Sequence, residues 1–549
     1  MKIVYFTLPS IVFLIIIIIL RSFGFDKKSE INSEPCFFLE SAGQVHDKYL
    51  FGSDGRLIFT LNDSNYYSFK IYNKGKIEDF MPHKKNVFNP ILISNEISGI
   101  QDSDGDEEFK SLSAALIEYI GSNSIKAIYS FKLGLLILLQ VENDNGLYLI
   151  NLSEKTKRRI AEITYKLNGA IFSKTGNTLI VSYDGSLICI DLLTNDVFEL
   201  ANCLEGEKLN PFLFDSNLYF VNNSQSEYYN LFKIDLNDSE SCKVQLVLEL
   251  EHDIRLPKIK NDFLYFIEVI NSEYLLKKID LESQKIYSIT YCGVVYNYDF
   301  YKEGSLTMIY SDLITPKCLM IYNELDKSFL NVSGSSTKHN ISKELIKSGS
   351  GNSSAYSLKK NGSNIKGVIL FFHPGLHSDF SPRWDDVLLN LCYNGYTIIA
   401  PNSPMSSGYG KTYYNSSFDQ AIEDSKEWKR YILKHYKKMP LFYLSMSSGN
   451  ILMEYLLNSD THGIEAAGSL FGIPAEINRR SFFVPTLYIL GENDPQIDFN
   501  RRYLILSEEQ KSHPSLSIIK YDEGHWFRKR DNMRDAVNRI INYFEMYSN

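Results

Sequence analysis

Residues 35 to about 335 form a series of short apolar runs separated by Asn, Asp, Ser and Gly. Runs of this length with such breaks predict β-strands joined by tight turns. One unit recurs, in which an apolar run ends at Asn or Asp and a short polar turn follows, as in "LICIDLLTNDV" and "LFKIDLNDSE". The recurring Asn or Asp residues are Asn73, Asn151, Asp191, Asp235, Asp280 and Asn323.

The spacing of these units indicates a repeat. Successive Asn or Asp residues lie 78, 40, 44, 45 and 43 positions apart, and the first interval is close to twice the others. A further, weakly marked unit is therefore expected near residue 112. Such a period, with several strands per unit, is typical of β-propeller blades, which bury their faces against their neighbours. We predict an all-β propeller over residues 35–335 with about seven blades; six or eight blades, or a large irregular β-sandwich, remain alternatives.

The pattern changes near residue 340, where apolar runs begin to alternate with amphipathic helices. Residues 418–436 and 531–547 place apolar side chains at helical spacing. Nearly continuous apolar strands between such helices are typical of a parallel sheet that is covered on both faces. We therefore predict an α/β domain with a parallel sheet over residues 340–549, preceded by a polar linker at 333–344. The predicted strands are 367–372, 396–401, 441–446, 466–473, 485–491 and 516–521.

The N-terminus carries one long apolar run, residues 3–20, between Lys2 and Arg21. As a helix this run would span about 27 Å, which matches the hydrocarbon core of a bilayer. A signal peptide usually has a shorter apolar core and a small-residue cleavage site, which the following "RSFGFDKKSE" does not provide. We predict a membrane signal anchor at residues 1–24, with a cleaved signal peptide as the alternative. Basic residues flank both ends, so the orientation is open, although a large body behind one anchor favours an extracytoplasmic location, periplasmic or extracellular.

The charge and the cysteine content of the chain limit the kinds of partner and bound metal to be expected. The chain has 549 residues, a formal net charge of −9 and no large basic block, so nucleic acid is not expected as a partner. Its seven cysteines form no C-x-x-C pair, so neither a zinc site nor a dense disulfide framework is expected. The segment "DSDGDEE" (102–108) lacks the glycine and glutamate spacing of an EF-hand and predicts an acidic surface loop. Pro374 and Gly375 break any helix that could make His373 and His377 a metal-binding pair.

The segment "SMSSGN" (445–450) places Ser447 at a tight turn between a predicted strand and a helix. Small neighbours suit the strained backbone of such a turn. Asp494 and His525 each follow a later predicted strand, so all three residues stand after the carboxyl ends of parallel strands, where active sites gather. The order Ser, Asp, His along the chain is that of the α/β-hydrolases. We predict these three as the catalytic residues; the acids that compete with Asp494 are Glu492 and Asp498.

The three residues have distinct expected roles. His525 would take the proton of Ser447 during attack and later return it to the leaving group, while Asp494 would hold the imidazole in the required tautomer and stabilise its charged form. The developing oxyanion needs two N–H donors. One is expected to be the amide of Ser448, and the other is expected from the loop "HPGLHS" (373–378).

These segments resemble the prolyl oligopeptidase family of serine peptidases, especially its acylaminoacyl-peptidase and dipeptidyl-peptidase branches. The stretch "YDEGHWFRKRDNMRDAVNRIINYF" is similar to the family's terminal motif around its histidine, and "HPGLHSDF" and "SPMSSGYG" resemble its HGGP and RGSxGYG segments. The resemblance rests on motifs over about 365–549 and on architecture alone over the propeller. It implies a β-propeller that precedes an α/β-hydrolase domain, and it places the second oxyanion donor on Gly375.

The chain departs from the family pattern at several positions. Ser445 stands where the G-x-S-x-G turn has its first glycine, Asn450 replaces the second glycine after the nucleophile, and Pro374 interrupts HGGP. The Arg of RGSxGYG is absent. Only 47 positions separate Ser447 from Asp494, which is shorter than usual for the family. Because the omitted part normally adds pocket residues, the family's substrate preference is not carried over.

The resemblance implies a serine hydrolase, in first place a peptidase. It would cleave short peptides through an acyl-enzyme at Ser447 without metal or cofactor, and the propeller would admit small or unfolded substrates. A carboxylesterase with the same triad is one alternative, because the same constellation cleaves esters. A catalytically inactive propeller–hydrolase protein that binds partners is another, and assembly into a homo-oligomer is left open.

Overall fold

The computed structural model describes residues 45–548 with several gaps. The longest of these gaps are 102–124, 333–339 and 476–483. The predicted anchor at 1–24 and the predicted acidic loop at 102–108 therefore lie outside the described residues. Within the part that is described, no helix is long and apolar enough to cross a membrane. The signal anchor and the extracytoplasmic location stay predictions.

Antiparallel strands that follow one another along the chain make up the N-terminal half. The described strands are β1 (Val45–Phe51), β2 (Leu57–Asp63), β3 (Tyr66–Asn73), β4 (Lys76–Phe80), β5 (Val87–Ile93), β6 (Glu96–Gln101), β7 (Ile125–Phe131), β8 (Leu136–Val141), β9 (Gly146–Asn151), β10 (Thr156–Glu162), β11 (Leu167–Phe172), β12 (Thr178–Tyr183), β13 (Ser186–Asp191), β14 (Val197–Leu200), β15 (Leu209–Phe214), β16 (Asn217–Asn222), β17 (Asn230–Asp235), β18 (Gln245–Leu248), β19 (Asp253–Lys260), β20 (Phe263–Ile270), β21 (Glu273–Asp280), β22 (Ile286–Ser288), β23 (Val294–Phe300), β24 (Ser305–Ser311), β25 (Cys318–Asn323) and β26 (Ser328–Asn331).

These strands form successive small sheets. Strands β1–β4, β7–β10, β11–β14 and β15–β18 each form a sheet of four, and β5 pairs with β6. Strands β19–β22 and β23–β26 are two further groups of four, joined by one parallel bridge between Tyr274 and Val294. The first strands of neighbouring groups lie against each other, since β15 contacts both β11 and β19, and β1 contacts both β5 and β23. The contact of β1 with β23 closes a ring, which is the arrangement of a β-propeller.

The number of blades stays a prediction. Among the described residues, six groups have four strands, and the pair β5–β6 begins a further one. Residues 102–124, which follow this pair, lie outside the described residues. The weakly marked unit expected near residue 112 falls in the same stretch.

The recurring Asn or Asp has a common structural role. Each of the five in the well-described units ends the third strand of its group, and its Oδ1 accepts the backbone N–H two residues further on at 2.7–3.1 Å. This Asx turn begins the reversal into the fourth strand, and Asn and Asp are the side chains that can form it. The repeat is therefore visible in the sequence because the turn requires it. The five residues are Asn151, Asp191, Asp235, Asp280 and Asn323.

An eight-stranded sheet forms the C-terminal half. Its strands are β27 (Ile341–Lys347), β28 (Ser354–Lys360), β29 (Gly367–Phe372), β30 (Tyr396–Asn402), β31 (Leu441–Met446), β32 (Ala466–Leu470), β33 (Thr486–Gly491) and β34 (Leu516–Tyr521). The order across the sheet is β27-β28-β30-β29-β31-β32-β33-β34. Strands β29 to β34 are parallel, as the pattern predicted.

The first two strands of this sheet correct the sequence analysis. Strands β27 and β28 are antiparallel to their neighbours, so the sheet is mixed. The predicted linker at 333–344 is wrong for residues 341–344, which belong to β27. Strand β27 is a largely exposed edge strand, "ISKELIK", and it lacks the apolar run by which the buried strands were recognised.

Helices cover both faces of the sheet. They are α1 (Asp386–Tyr393), α2 (Lys411–Tyr414), α3 (Phe418–His435), α4 (Gly449–Ser459), α5 (Phe499–Ser512) and α6 (Arg530–Met546). Helices α1 and α6 pack on one face, in one core cluster with Phe442 and Leu444 of β31. Helices α3 and α4 pack on the other face, in a second cluster with Leu441 and Tyr443 of the same strand. Adjacent β31 residues thus enter opposite cores, which accounts for its unbroken apolar sequence.

The propeller contacts the hydrolase domain through the turn between β20 and β21. Asn402 Nδ2 donates a hydrogen bond to Ser272 Oγ at 3.1 Å, and Tyr356 OH donates one to the carbonyl oxygen of Asn271 at 2.7 Å. A second contact joins Glu227 to the start of α2, where the Thr412 N–H donates to its carboxylate at 2.8 Å. These contacts join the propeller to β28, to the end of β30 and to α2 of the hydrolase domain.

Candidate active site

Ser447 lies at a strained turn between β31 and α4. Its φ is +50°, in the left-handed region that residues with a side chain rarely adopt. The chain can turn here because Gly449 has no Cβ, since a Cβ at that position would lie 2.3 Å from the carbonyl oxygen of Phe372 and 2.6 Å from that of His373. The turn is also held by the segment that follows β32, because the Ile473 N–H donates to the Ser447 carbonyl oxygen at 2.9 Å. This is the geometry of a nucleophile elbow.

Three of the predicted residues form one hydrogen-bonded chain. Ser447 Oγ lies 2.8 Å from His525 Nε2, and His525 Nδ1 lies 2.8 Å from Asp494 Oδ2. Ser447, His525 and Asp494 are 6%, 3% and 8% exposed, so the chain is nearly shielded from water. The competing acids are engaged elsewhere, since Glu492 pairs with a surface lysine and Asp498 caps the N-terminus of α5.

The loops that carry the acid and the base are packed against each other. A Cβ on Gly491 would lie 2.3 Å from the carbonyl oxygen of Gly524. The two loops can therefore come this close only because position 491 has no side chain. Glu523 then ties the histidine loop to α6, because its buried carboxylate accepts the N–H groups of Arg528 and Lys529 at 2.9 Å. Burial raises the pKa of Glu523. The sequence analysis did not single out Glu523, although its place two residues before His525 is a local signal.

The predicted oxyanion donors lie side by side at the elbow. The Ser448 N–H has no acceptor among the described residues. The Gly375 N–H is directed toward the elbow but donates to Ser448 Oγ at 2.7 Å. Gly375 has a φ of +76°, which suits glycine and explains why the loop can turn after Pro374. In this structure the Ser448 hydroxyl therefore accepts the N–H that was predicted to bind the oxyanion.

The two substitutions around the elbow contact each other. Ser445 Oγ donates a hydrogen bond to Asn450 Oδ1 at 3.2 Å, and both side chains are fully buried. Asn450 Nδ2 in turn donates to the carbonyl oxygen of Ile473 at 2.9 Å, in the segment that also holds Ser447. The two side chains that replace glycines thus satisfy one another, and they add a tie across the turn.

A buried ion pair supports the elbow from beneath. Glu454 of α4 contacts the guanidinium of Arg502 in α5, and both side chains are almost fully buried. Glu454 also accepts hydrogen bonds from Asn450 Nδ2 and Tyr488 OH at 3.0 Å, and from the Ala475 N–H at 2.9 Å. These bonds satisfy the buried carboxylate and hold the chain after β32. The sequence showed no local signal of this network, because its members come from four separate elements.

The two histidines of the oxyanion loop have different surroundings. Buried His373 lies 3.3 Å from Ser406 Oγ through Nε2, and burial lowers its pKa. His377 instead packs against the ring of Tyr414, with the ring centres 4.7 Å apart. Across the described part of the chain, no group of three His, Cys, Asp or Glu side chains is placed to hold a metal ion.

Comparison with known proteins finds the same fold in solved structures of peptidases. No protein-family model and no curated protein matches the chain. Among solved structures, a puromycin-hydrolyzing peptidase of Mycobacterium tuberculosis aligns over 92% of this chain and 94% of its own, with a TM-score of 0.73 and 12% identity. A prolyl endopeptidase aligns over 92% and 89%, with a TM-score of 0.74 and 9% identity. An acylaminoacyl peptidase of Pyrococcus horikoshii aligns over 90% and 94%, with a TM-score of 0.64 and 13% identity.

At such identities the likeness concerns the fold. The chain shares the two-domain architecture of these peptidases over nearly its whole described length, and the predicted resemblance to the prolyl oligopeptidase fold is confirmed. The short connection after the elbow does not prevent the same overall arrangement.

Proposed function

We propose that this chain is a serine hydrolase of the prolyl oligopeptidase type that cleaves short peptides. The observation that carries the proposal is the hydrogen-bonded chain from Ser447 through His525 to Asp494, with 2.8 Å at each step. Such a chain at the carboxyl edge of a parallel sheet is the arrangement that activates a serine for attack on a carbonyl carbon. The three solved structures compared above are peptidases, which favours a peptide bond over an ester as the substrate.

The proposed reaction has two stages. Ser447 Oγ attacks the carbonyl carbon of the scissile bond while its proton passes to His525 Nε2, and Asp494 stabilises the charged imidazole through Nδ1. The tetrahedral intermediate collapses when His525 donates this proton to the leaving amine, and an acyl ester on Ser447 remains. Water then attacks the ester with His525 as base, which releases the carboxylic acid and restores the serine hydroxyl.

The oxyanion would be stabilised beside Ser448. Its backbone N–H is available, and the Gly375 N–H becomes available when the Ser448 hydroxyl turns away from it. Each such donor is worth about 3 kcal/mol in the transition state, because it is aimed where the negative charge develops. The turn of one side chain is a small rearrangement, since a serine hydroxyl interconverts among three rotamers.

A panel of substrates tests peptidase against the alternatives. We expect the protein to cleave short peptides and small esters, and to leave folded proteins intact, because the propeller is held against the hydrolase domain and would exclude large substrates. The Ser447→Ala variant, purified in the same way, is the control for contaminating hydrolases. Cleavage of esters without any peptide would instead identify a carboxylesterase. A folded protein that cleaves neither would support the third alternative, an inactive binding protein.

A further inference from the structure

Two arginines outside the triad present guanidinium groups that no described residue pairs with. Arg255 of β19 lies over the ring of Tyr274, with Cζ 5.1 Å from the ring centre. Arg383, in the loop before α1, lies over the ring of Tyr296 at 5.8 Å. No hydrogen bond or ion pair joins either guanidinium to another residue in the described part of the chain. Each planar fork therefore keeps its N–H donors available.

Both arginines lie where the propeller faces the hydrolase domain. The start of β19, which contains Arg255, pairs with the end of β20. The turn that follows β20, residues 271–272, is the one that contacts the hydrolase domain. Arg383 belongs to the hydrolase domain, eight positions after Gly375, and its guanidinium lies over Tyr296 of propeller strand β23. Both residues are half-buried, so part of each is exposed to solvent at this junction.

Asp379 lies near both arginines. Its Oδ1 accepts a hydrogen bond from Tyr274 OH at 2.9 Å, and it lies within electrostatic range of both guanidinium groups. The other nearby acids are held by backbone donors, Asp253 by the N–H of Tyr229 and Asp385 by the first turn of α1. These carboxylates balance the positive charge and keep the site folded without consuming the guanidinium donors.

We propose that Arg255 and Arg383 together bind a carboxylate group of the peptide substrate. The inference rests on the proposed function for the identity of the ligand. Arginine is suited to the task because its fork matches the two oxygens of a carboxylate, and charge-assisted bonds of this kind are stronger than neutral ones. Stacking on Tyr274 and Tyr296 orients the two forks before the ligand arrives, so little ordering is needed on binding.

Matched peptides test this inference. The first pair shares one sequence without acidic side chains and ends in a free carboxylate or in an amide. The second pair is amidated and carries either Glu or Gln near the scissile bond. For Arg255→Gln and Arg383→Gln, we expect kcat/KM to fall about 10- to 100-fold on at least one carboxylate peptide. On the neutral partner of that peptide it should change less than about threefold. A loss confined to the first pair identifies the C-terminal carboxylate, and a loss confined to the second identifies a side chain.

Two controls keep this result separate from the proposed function. Arg501→Gln, which changes an exposed arginine on α5, should leave kcat/KM unchanged for every peptide. The second control is the binding of a fluorescein-labelled carboxylate peptide to Ser447→Ala, measured by anisotropy, which requires no catalysis. Its affinity should fall by the same factor as kcat/KM when Arg255 is also replaced by Gln. Equal losses on carboxylate and neutral peptides, or unchanged anisotropy, would overturn the carboxylate site even if the enzyme is active. Specific binding by a protein that never hydrolyses would support the site and contradict the peptidase.

Discussion

Ser447→Ala should lower the rate of peptide hydrolysis by about 10⁴-fold or more, because no other group in the site can form the acyl ester. The substitution removes one hydroxyl that is 6% exposed and bonded at 2.8 Å to His525. The fold does not depend on this bond, so the melting temperature should change by only a few degrees, about the effect of one lost hydrogen bond. Steady-state kinetics on one peptide and calorimetry of both proteins measure the two quantities.

The matched control for this substitution is Ser512→Ala, which removes an exposed hydroxyl at the end of α5. It should leave both the rate and the melting temperature unchanged. If Ser447→Ala keeps more than about a tenth of the wild-type rate, the covalent mechanism is contradicted.

Gly449→Ala should disrupt the elbow itself. A methyl group at this position would lie 2.3 Å and 2.6 Å from two backbone oxygens, those of Phe372 and His373, and neither can move without displacing β29. We expect a loss of about 3 kcal/mol or more in the free energy of unfolding. Labelling of Ser447 by a serine-directed probe should slow by at least about 100-fold, because the nucleophile and the Ser448 N–H are carried on the same turn. Urea unfolding and the labelling rate are the two measurements.

Gly349→Ala is the control for the general cost of placing alanine at a glycine. The nearest atom to its Cβ would be a carboxylate oxygen of Glu427 at 3.3 Å, at the end of a flexible side chain. Its stability and labelling rate should stay close to those of the wild type. If Gly449→Ala costs no more stability than Gly349→Ala, the close approach of α4 to β29 is contradicted.

Much of the fold could be predicted from the sequence because it depends on local chemistry. The recurring Asn or Asp marks each propeller unit, since an Asx turn needs that side chain at the end of the third strand. The buried parallel strands are visible because they contact a core on each face and so carry unbroken apolar runs. The order of Ser447, Asp494 and His525 was also visible, because each follows a recognisable strand.

The remainder depends on contacts between distant parts of the chain. Strand β27 escaped prediction because an exposed edge strand needs a neighbour and not an apolar run. Ser445 and Asn450 each depart from the motif, but in the folded turn their side chains form a hydrogen bond with each other. The sequence alone does not show that the two changes compensate. Glu454 and Arg502 are 48 positions apart, and the sequence pattern of neither helix predicts their contact.

The central claim is that Ser447 is an activated nucleophile, and covalent labelling tests it most directly. The folded protein is treated with a fluorophosphonate probe, and the adduct is located by peptide mapping. Our account predicts one adduct per chain, on Ser447, that is absent from Ser447→Ala and from protein unfolded before treatment. A folded wild-type protein that stays unmodified, or an adduct on another serine that persists in Ser447→Ala, would contradict it.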